Sequence, residues 1–258
     1  MIGAIAGDII GSVYEFRPIK TEDFNLFHSD SSFTDDTVMS IAIAEAILIK
    51  GDYAAAMKKY GRRYPDSGYG GMFIHWLFQK EVIPYNSWGN GSAMRASAIG
   101  FAFADREKVL TEAEKSAVVS HNHPEGIKGA QATALAVHLA FTGADREQIR
   151  EEISRQFEYD LNRTVKEIRP DYSFNESCQR TVPEAIIAFL DSENFEDAIR
   201  KAVSLGGDSD TLACIAGGIA QAFYKKIPAE ITDKVTKLLP EDLSDVLNKF
   251  TSKYSIPY

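Results

Sequence analysis

Two short acidic clusters are the part of this sequence best suited to chemistry. The first is Thr34-Asp35-Asp36-Thr37, and the second is Gly206-Gly207-Asp208-Ser209-Asp210-Thr211. An apolar helical pattern follows each cluster, so both are expected to open helices. Each cluster offers carboxylate and hydroxyl oxygens, and hard divalent cations prefer oxygen ligands. The two clusters therefore predict a metal site.

Helix capping is the alternative explanation for the first cluster, because Asp and Thr are favoured N-cap residues and negative charge suits a helix N-terminus. The second cluster favours metal, since a cap needs one acceptor and the segment 208–211 offers two acids and two hydroxyls. If the clusters converge, their four carboxylates would repel one another or stay protonated. Two divalent ions would neutralise them, so we expect a binuclear centre.

The N-terminal segment Gly7-Asp8-Ile9-Ile10-Gly11-Ser12-Val13-Tyr14-Glu15 adds two more acids. Its glycines and other small residues predict a close-packed helix. Asp8 and Glu15 are seven positions apart, which places them on one face of such a helix. A packed helix whose acids are merely solvated is the alternative.

Two turns could bind a substrate. Gly89-Asn90-Gly91-Ser92-Ala93-Met94-Arg95 is glycine-rich and leads into a helical pattern, so its backbone N–H groups could hold a pyrophosphate. An ordinary loop-to-helix junction is the alternative, and Arg95 could instead pair with a structural acid. Ser120-His121-Asn122-His123 precedes another helix. No Cys or His pattern completes a zinc site around it, so we expect a histidine there to hydrogen-bond to substrate.

The composition narrows the class of protein. The chain has 258 residues, of which 45% are hydrophobic and 25% charged, as in an ordinary globular domain. Its formal net charge of −9 disfavours nucleic acid or an anionic membrane surface as the main partner. The N-terminus lacks a basic signal-peptide region and no apolar run reaches about 18 residues, so we expect a cytoplasmic protein. Cys178 and Cys214 fit neither a disulfide framework nor a zinc site.

Helical periodicity runs through nearly the whole chain. It predicts helices over 36–49, 52–63, 91–103, 107–119, 125–141, 144–156, 183–191, 194–204, 211–225 and 241–252. Pro183, Pro228 and Pro240 are expected at helix starts. The segment 158–177 is polar and predicts a surface excursion, and no strand pair, repeat or linker is evident. We therefore predict one all-α domain over residues 1–258.

Together and in this order, these five segments resemble the ADP-ribosylglycohydrolase family. The matching motifs are the N-terminal Gly-Asp-x-x-Gly-Ser helix with Glu15, Thr34-Asp35-Asp36-Thr37, the 89–95 turn, Ser120-His121 and Gly207-Asp208-Ser209-Asp210-Thr211. Any one motif is weak, but five in order are specific. The resemblance spans about residues 2–225.

The resemblance implies a compact, orthogonal all-α domain with two Mg²⁺ ions, for which Mn²⁺ is a possible substitute. Metal ligands from one side would be Thr34, Asp35 and Asp36. Those from the other side would be Asp208, Asp210 and Thr211. Glu15 matches the family's glutamate beside the metals, and Asp8 is assigned a supporting structural role. The implied catalytic residues are Glu15, Asp35 and Asp210.

The implied activity is hydrolysis of the glycosidic bond between ADP-ribose and an acceptor. The residues implied to bind substrate are Asn90, Gly91, Ser92, Met94, Arg95 and His121. Cleavage builds positive charge on the ribose, and two ions can orient its hydroxyls and activate water. Glu15 is the candidate for accepting or delivering the proton. We expect a monomer acting on an ADP-ribosylated protein or a small ADP-ribosyl compound.

Three other kinds of protein are alternatives to this interpretation. Some relatives resemble lens crystallins and are structural, but here every matched acid is present, which favours an enzyme. All-α prenyl-diphosphate enzymes also use magnesium and aspartates, yet their Asp-Asp-x-x-Asp box fails at Met39. A His-Asp phosphohydrolase is disfavoured, since no histidine here precedes an aspartate.

The acceptor stays open at this point. Arginine is favoured, but serine and small-molecule linkages would share the same ADP-ribose anchor. Aromatic side chains that could stack on adenine, or simply line the cleft, are Phe16, Phe33, Tyr85 and Trp88. Nothing in their spacing decides between these roles.

Overall fold

Fifteen helices and no strands make up the regular structure of the computed structural model, which describes residues 1–258. Their bounds are α1 Ile2–Gly11, α2 Asp35–Ile49, α3 Tyr53–Arg63, α4 Gly71–Phe78, α5 Gly91–Met94, α6 Ser97–Ala102, α7 Arg106–Val118, α8 Pro124–Thr142, α9 Arg146–Phe157, α10 Val165–Ile168, α11 Cys178–Leu190, α12 Phe195–Ser204, α13 Ser209–Tyr224, α14 Ala229–Leu238 and α15 Glu241–Lys253. The only β contact is an isolated bridge between Gly89 and Ser177. The all-α prediction is confirmed.

Polar caps start many of the helices, as the sequence indicates. The side chains of Asp105 and Asp145 each accept a hydrogen bond from the third residue of the helix that follows. In α9 the side chain of Gln148 reciprocates, which completes a capping box. Pro228 and Pro240 directly precede α14 and α15, as predicted. These local signals fix where helices begin, whereas burial fixes how they pack.

Helices α1 and α13 form the closest helix pair at the centre of the fold, and their contact brings two acidic segments together. A Cβ added at Gly7 would stand 1.9 Å from the carbonyl oxygen of Ala213. One added at Gly11 would stand 2.5 Å from the Cα of Asp210. Only glycine permits so close a backbone approach. The approach places Asp8 on α1 beside the start of α13.

The buried apolar side chains form one continuous cluster of 76 residues that includes members of nearly every helix. Its largest fully buried aromatic side chains are Trp76, Phe189, Phe195 and Phe250. At roughly 25 cal/mol per Å² of buried apolar area, such a cluster is the main favourable contribution to folding. No helix is both long enough and apolar enough to cross a membrane.

The helix at the N-terminus is shorter than predicted. It ends at Gly11, so Glu15 lies in the turn beyond it rather than on a helical face shared with Asp8. The chain bends at Ser12 and Tyr14, where Tyr14 N–H still donates to Gly11 O at 2.8 Å. The two acids therefore approach the site from different elements.

Two predicted helix bounds are also wrong. The predicted 91–103 helix divides into α5 and α6 at Arg95 and Ala96, where the Arg95 guanidinium turns back to the Gly91 carbonyl. Helix α11 begins at Cys178, so Pro183 lies inside the helix instead of at its start. Proline there forfeits one helical hydrogen bond. The burial of apolar residues on both sides of Pro183 offsets that loss.

The predicted surface excursion over 158–177 is wrong for residues 159–172, which carry several buried side chains. That segment contains α10, and its buried apolar side chains are Tyr159, Leu161, Val165, Ile168 and Tyr172. Charged residues between them hide the apolar pattern from a periodicity argument. Helix α4 was not predicted, and for α14 only the start at Pro228 was. For α4, the glycines before it supply no side-chain cap to signal its start.

Candidate active site

The two acidic clusters meet where the N-termini of α2 and α13 come together. The Thr211 hydroxyl donates to Asp36 Oδ1 at 3.3 Å, joining the clusters directly. Thr34 caps α2, since its Oγ1 accepts a hydrogen bond from the Asp36 backbone N–H. The capping alternative thus holds for Thr34, while Asp35 and Asp36 lie inside the first turn of the helix.

Asp8 holds the start of α2 in place from α1. Its carboxylate is fully buried and accepts four hydrogen bonds, two from Thr34 and two from Thr37, each pair consisting of a backbone N–H and a hydroxyl. Burial raises the pKa of Asp8 to about 6, although these donors favour its charged form. The geometry agrees with the supporting structural role expected for Asp8.

Glu15 converges with the second cluster. Carboxylate oxygens of Glu15, Asp208 and Asp210 all lie within 4.8 Å of one another, which suits the ligation of a cation. Burial, and then the negative charges of Asp208 and Asp8, raise the pKa of Glu15 to about 7. A half-buried carboxylic acid that titrates near neutrality can both give and accept a proton.

The remaining carboxylates are poorly compensated by protein groups. Asp36 is 2% exposed, and its Oδ2 is buried without any hydrogen-bond partner. Burial raises the pKa of Asp35, Asp36 and Asp210 well above the usual range, and neighbouring carboxylates raise it further. Buried acids without cationic partners are costly, and a bound cation would relieve that cost. The donor set and the orphaned oxygen fit a divalent metal.

Lys20 supports the bend that leads into the second cluster. Its ammonium donates to three backbone carbonyls, those of Arg169 at 2.8 Å and of Tyr172 and Leu205 at 2.5 Å. All three of its donors are therefore used. Gly206 follows Leu205 with φ of +66°, a left-handed conformation that glycine adopts freely. Lys20 thus fixes the backbone from which Asp208 extends.

The glycine-rich turn at 89–95 is anchored to the same cluster. The Asn90 side-chain amide donates to Asp208 Oδ2 at 2.7 Å and to Thr181 Oγ1 at 3.1 Å. Ser92 is fully buried, and its hydroxyl donates to Gly126 O at 2.7 Å. The turn is thereby rigid, and Asn90 orients an acid of the predicted metal site.

Arg95 is fully buried beneath that turn. Its guanidinium donates to the carbonyls of Gly91 and Ser116 and to Ser120 Oγ, and it lies over the Phe73 ring. Burial lowers the pKa of Arg95 to about 10, which leaves it charged at neutral pH. These contacts show that Arg95 supports the turn, whatever it also offers to a ligand.

His121 lies against the turn from the other side. Its Nδ1 is 2.8 Å from Ser120 Oγ, and its Nε2 would be 3.0 Å from a Cβ placed on Gly91. The ring meets Tyr85 and Phe73 edge-on, with centroids 5.7 and 6.3 Å away. Burial, and then the charge of Arg95, hold the pKa of His121 well below its usual value, so the ring is neutral.

A single cavity of about 470 Å³ joins these elements. Of the predicted site residues, those that line it are Glu15, Thr34, Asp35, Asp36, Asn90, Gly91, Met94, Arg95, His121, Asp208, Asp210 and Thr211. Ser92 does not line it. Tyr85 and Trp88 also face the cavity, whereas Phe16 is 80% exposed and Phe33 packs on Tyr64.

Sequence reasoning missed one whole wall of the cavity. The lining residues that the sequence analysis does not assign are Gly68, Gly70, Gly71, Met72, Phe73, Ser87, Phe174 and Glu176. The glycine cluster at 68–71 before an apolar run was a usable signal for this wall. Phe174 and Glu176 lie in the segment 158–177, for which the sequence predicts a surface excursion.

The fold and this acidic cleft define an all-α protein whose clustered carboxylates could hold a cation. A sequence model described as ADP-ribosylglycohydrolase matches residues 1–255, and the chain belongs to the ADP-ribosylglycohydrolase family. This is an enzyme family that hydrolyses linkages to ADP-ribose, and the predicted family membership is confirmed.

Similar proteins support this assignment. ADP-ribosylhydrolase ARH3 of Gallus gallus is 27% identical over 308 residues, covering 87% of this chain and 84% of that protein. ARH3 of Homo sapiens is 28% identical with the same coverage. ADP-ribosylarginine hydrolase Tri1 of Pseudomonas putida is 27% identical, covering 91% of this chain and 72% of that protein. A solved ADP-ribosylglycohydrolase-related protein complex shares the fold, with a TM-score of 0.76, 22% identity and 99% and 95% coverage of the two chains.

Proposed function

We propose that residues 1–258 act as one domain that hydrolyses the glycosidic bond of an ADP-ribosylated protein side chain, with two Mg²⁺ ions held by the two acidic clusters. The observation that carries the proposal is the convergence of Asp36, Asp208, Asp210 and Glu15 on one cavity. Mn²⁺, which takes similar oxygen ligands, is a possible substitute.

The metal ligands in this proposal are Thr34, Asp35, Asp36, Asp208, Asp210 and Thr211. Four of these residues are carboxylates, and the pKa of three is raised by burial and mutual repulsion. Two divalent ions balance that charge, whereas one would leave the site strongly acidic. When bound, such ions would orient the ribose hydroxyls and would lower the pKa of a bound water molecule.

Binding of the ADP-ribose diphosphate is assigned to the 89–95 turn. The N–H groups of Gly91 and Ser92 begin a helix, where they lack intrahelical acceptors. Arg95 places a buried positive charge beneath these groups, and Met94 contributes an apolar wall. His121 contacts the ADP-ribose from the opposite side. Local donors of this kind offset the repulsion that a chain with a net charge of −9 exerts on an anion.

Glu15 is the proposed proton-transfer group. It is the half-buried acid at the edge of the carboxylate group, and its pKa of about 7 keeps protonated and ionised forms available at neutral pH. As the acid it would protonate the leaving group, and as the base it would take the proton from water. Asp35 and Asp210, which line the same cavity as Glu15, complete the proposed catalytic set.

Arginine is the proposed acceptor. Five of the six acids that line the cavity are assigned to the metal ions or to proton transfer, and the exposed Glu176 remains to attract a guanidinium-bearing substrate. The name of the Pseudomonas putida relative, ADP-ribosylarginine hydrolase, points the same way. The test is a panel of ADP-ribosyl-arginine peptide, ADP-ribosyl-serine peptide and a small O-linked ADP-ribosyl compound with Mg²⁺. Fastest release from arginine supports the proposal, whereas release from serine alone overturns the acceptor assignment.

A further inference from the structure

The two ring nitrogens of His121 face different surroundings. Nδ1 lies 2.8 Å from the hydroxyl oxygen of Ser120, while Nε2 faces Gly91 at the cavity wall. A neutral imidazole carries one proton, so one nitrogen donates and the other accepts. Which nitrogen carries the proton is set by the hydrogen bond that the other one makes.

Arg95 determines which nitrogen of His121 is protonated through its hydrogen bond to Ser120. Its Nη2 donates to Ser120 Oγ at 3.1 Å, and a guanidinium has donors only. The serine oxygen is therefore an acceptor toward Arg95, and its single hydrogen is left for His121 Nδ1. The reverse arrangement, with Nδ1–H donating to the serine, would leave the hydroxyl hydrogen without an acceptor. Ser120 is fully buried, where an unmade hydrogen bond costs roughly 1–3 kcal/mol.

We infer that Arg95 and Ser120 are positioning residues that hold His121 as the Nε2–H tautomer, with that N–H directed to the cavity beside Gly91. His121 is then a hydrogen-bond donor toward a ligand and has no free basic nitrogen in the cavity. The chemistry that it recognises is an oxygen acceptor, such as a phosphate or ribose oxygen. This role in ligand binding rests on the proposed function, whereas the tautomer follows from the free protein alone.

Tyr85 and Phe73 keep the ring from turning over. Both meet the imidazole edge-on, and His121 is 5% exposed. No carboxylate is hydrogen-bonded to either nitrogen, so nothing competes with Ser120 for Nδ1. The neutral state agrees with the pKa of His121, which burial and Arg95 hold well below its usual value.

The tautomer is measurable on the whole, ligand-free chain by two-dimensional NMR that correlates ring protons with the two imidazole ¹⁵N nuclei. The His121 signals are assigned by their loss in His121→Gln. We expect one pattern, with Nε2 protonated and Nδ1 unprotonated. A protonated Nδ1, or averaged shifts from exchanging tautomers, overturns the inference.

Ser120→Ala and Ser116→Ala form a matched pair of variants. Both serines are fully buried near the end of α7, but the Ser116 hydroxyl donates to Ala113 O and does not contact the histidine. Ser120→Ala is expected to give mixed tautomers and about five- to tenfold weaker ADP-ribose binding, the loss of one hydrogen bond. Ser116→Ala should change neither. Mixed tautomers in Ser116→Ala, or an unchanged pattern in Ser120→Ala, contradict the role of Ser120 in holding the tautomer.

The same spectra separate this inference from the proposed function. If the Nε2–H tautomer is observed but saturating ADP-ribose leaves the His121 signals unmoved, the proposed ligand contact is wrong and the inferred tautomer is right. If ADP-ribose shifts those signals while the tautomers are mixed, the ligand contact is right and the inferred tautomer is wrong. The wild-type spectrum decides the tautomer even if Ser120→Ala does not fold.

Discussion

The Thr211 hydroxyl donates a 3.3 Å hydrogen bond to the Asp36 carboxylate, across 175 positions of sequence. This bond links the first turns of α2 and α13, which carry the two acidic clusters. The other oxygen of Asp36 is buried without a partner. The clusters thus form one site with an excess of negative charge, and several variants can test what that charge is for.

Asp36→Asn should separate metal affinity from stability. The amide has nearly the same shape but removes one buried charge, so repulsion among the carboxylates falls. We expect the metal-free protein to melt higher, by roughly 2–4 °C for each kcal/mol gained, while Mg²⁺ binds at least about tenfold more weakly. Melting curves in chelator and calorimetric Mg²⁺ titrations measure the two effects. A lower melting temperature of the variant in chelator would show that the Asp36 carboxylate does not destabilise the metal-free protein.

Glu15→Gln should abolish hydrolysis while leaving ADP-ribose binding within about twofold of wild type, because the amide cannot transfer the proton. The expected loss in rate is about 10²–10⁴-fold. Rapid-mixing hydrolysis and equilibrium ADP-ribose titration give the two quantities. Normal hydrolysis by the variant would remove Glu15 from the proton-transfer role.

Lys20→Met should weaken metal binding without a direct contact to the metal ligands. The three carbonyls of Arg169, Tyr172 and Leu205 lose their shared donor, so the bend before Asp208 loosens. We expect about tenfold weaker Mg²⁺ binding. Lys166→Met, on the exposed side of α10, is the matched control and should bind as wild type. Equal Mg²⁺ affinities in the two variants would show that Lys20 does not stabilise the backbone that positions Asp208.

His121 should also make the fold sensitive to acid. Its folded pKa is lowered by burial and by Arg95, so below the unfolded value of about 6.5 the unfolded chain binds more protons. Stability therefore falls as pH drops from 7 to 5, by roughly 1 kcal/mol per unit from this group. His121→Gln should show a shallower decline in urea unfolding over that range. Parallel declines in the two proteins would argue against a neutral buried histidine.

The sequence was enough to pick out the two acidic clusters as a candidate site, because the residues of each cluster are adjacent in the chain and their oxygen ligands are distinctive. Asp35-Asp36 and Asp208-x-Asp210 are evident without any structure. The sequence could not show that Lys20 donates a hydrogen bond to the Leu205 carbonyl, because that contact depends on tertiary packing. For the same reason it could not show that the Arg95 guanidinium donates to the Gly91 carbonyl and the Ser120 hydroxyl. The wall around Phe174 escaped prediction for the same reason, since polar residues mask the buried apolar ones along 158–177.

The most direct test of the account is release of ADP-ribose from an ADP-ribosyl-arginine peptide by the wild-type chain and by Asp210→Ala, with Mg²⁺ and with chelator. The convergence of Asp210 with Glu15 and Asp208 predicts hydrolysis only by the wild type with metal, and recovery when Mg²⁺ is restored after chelation. Undiminished release in chelator, or by Asp210→Ala, would contradict a metal centre built from the two acidic clusters.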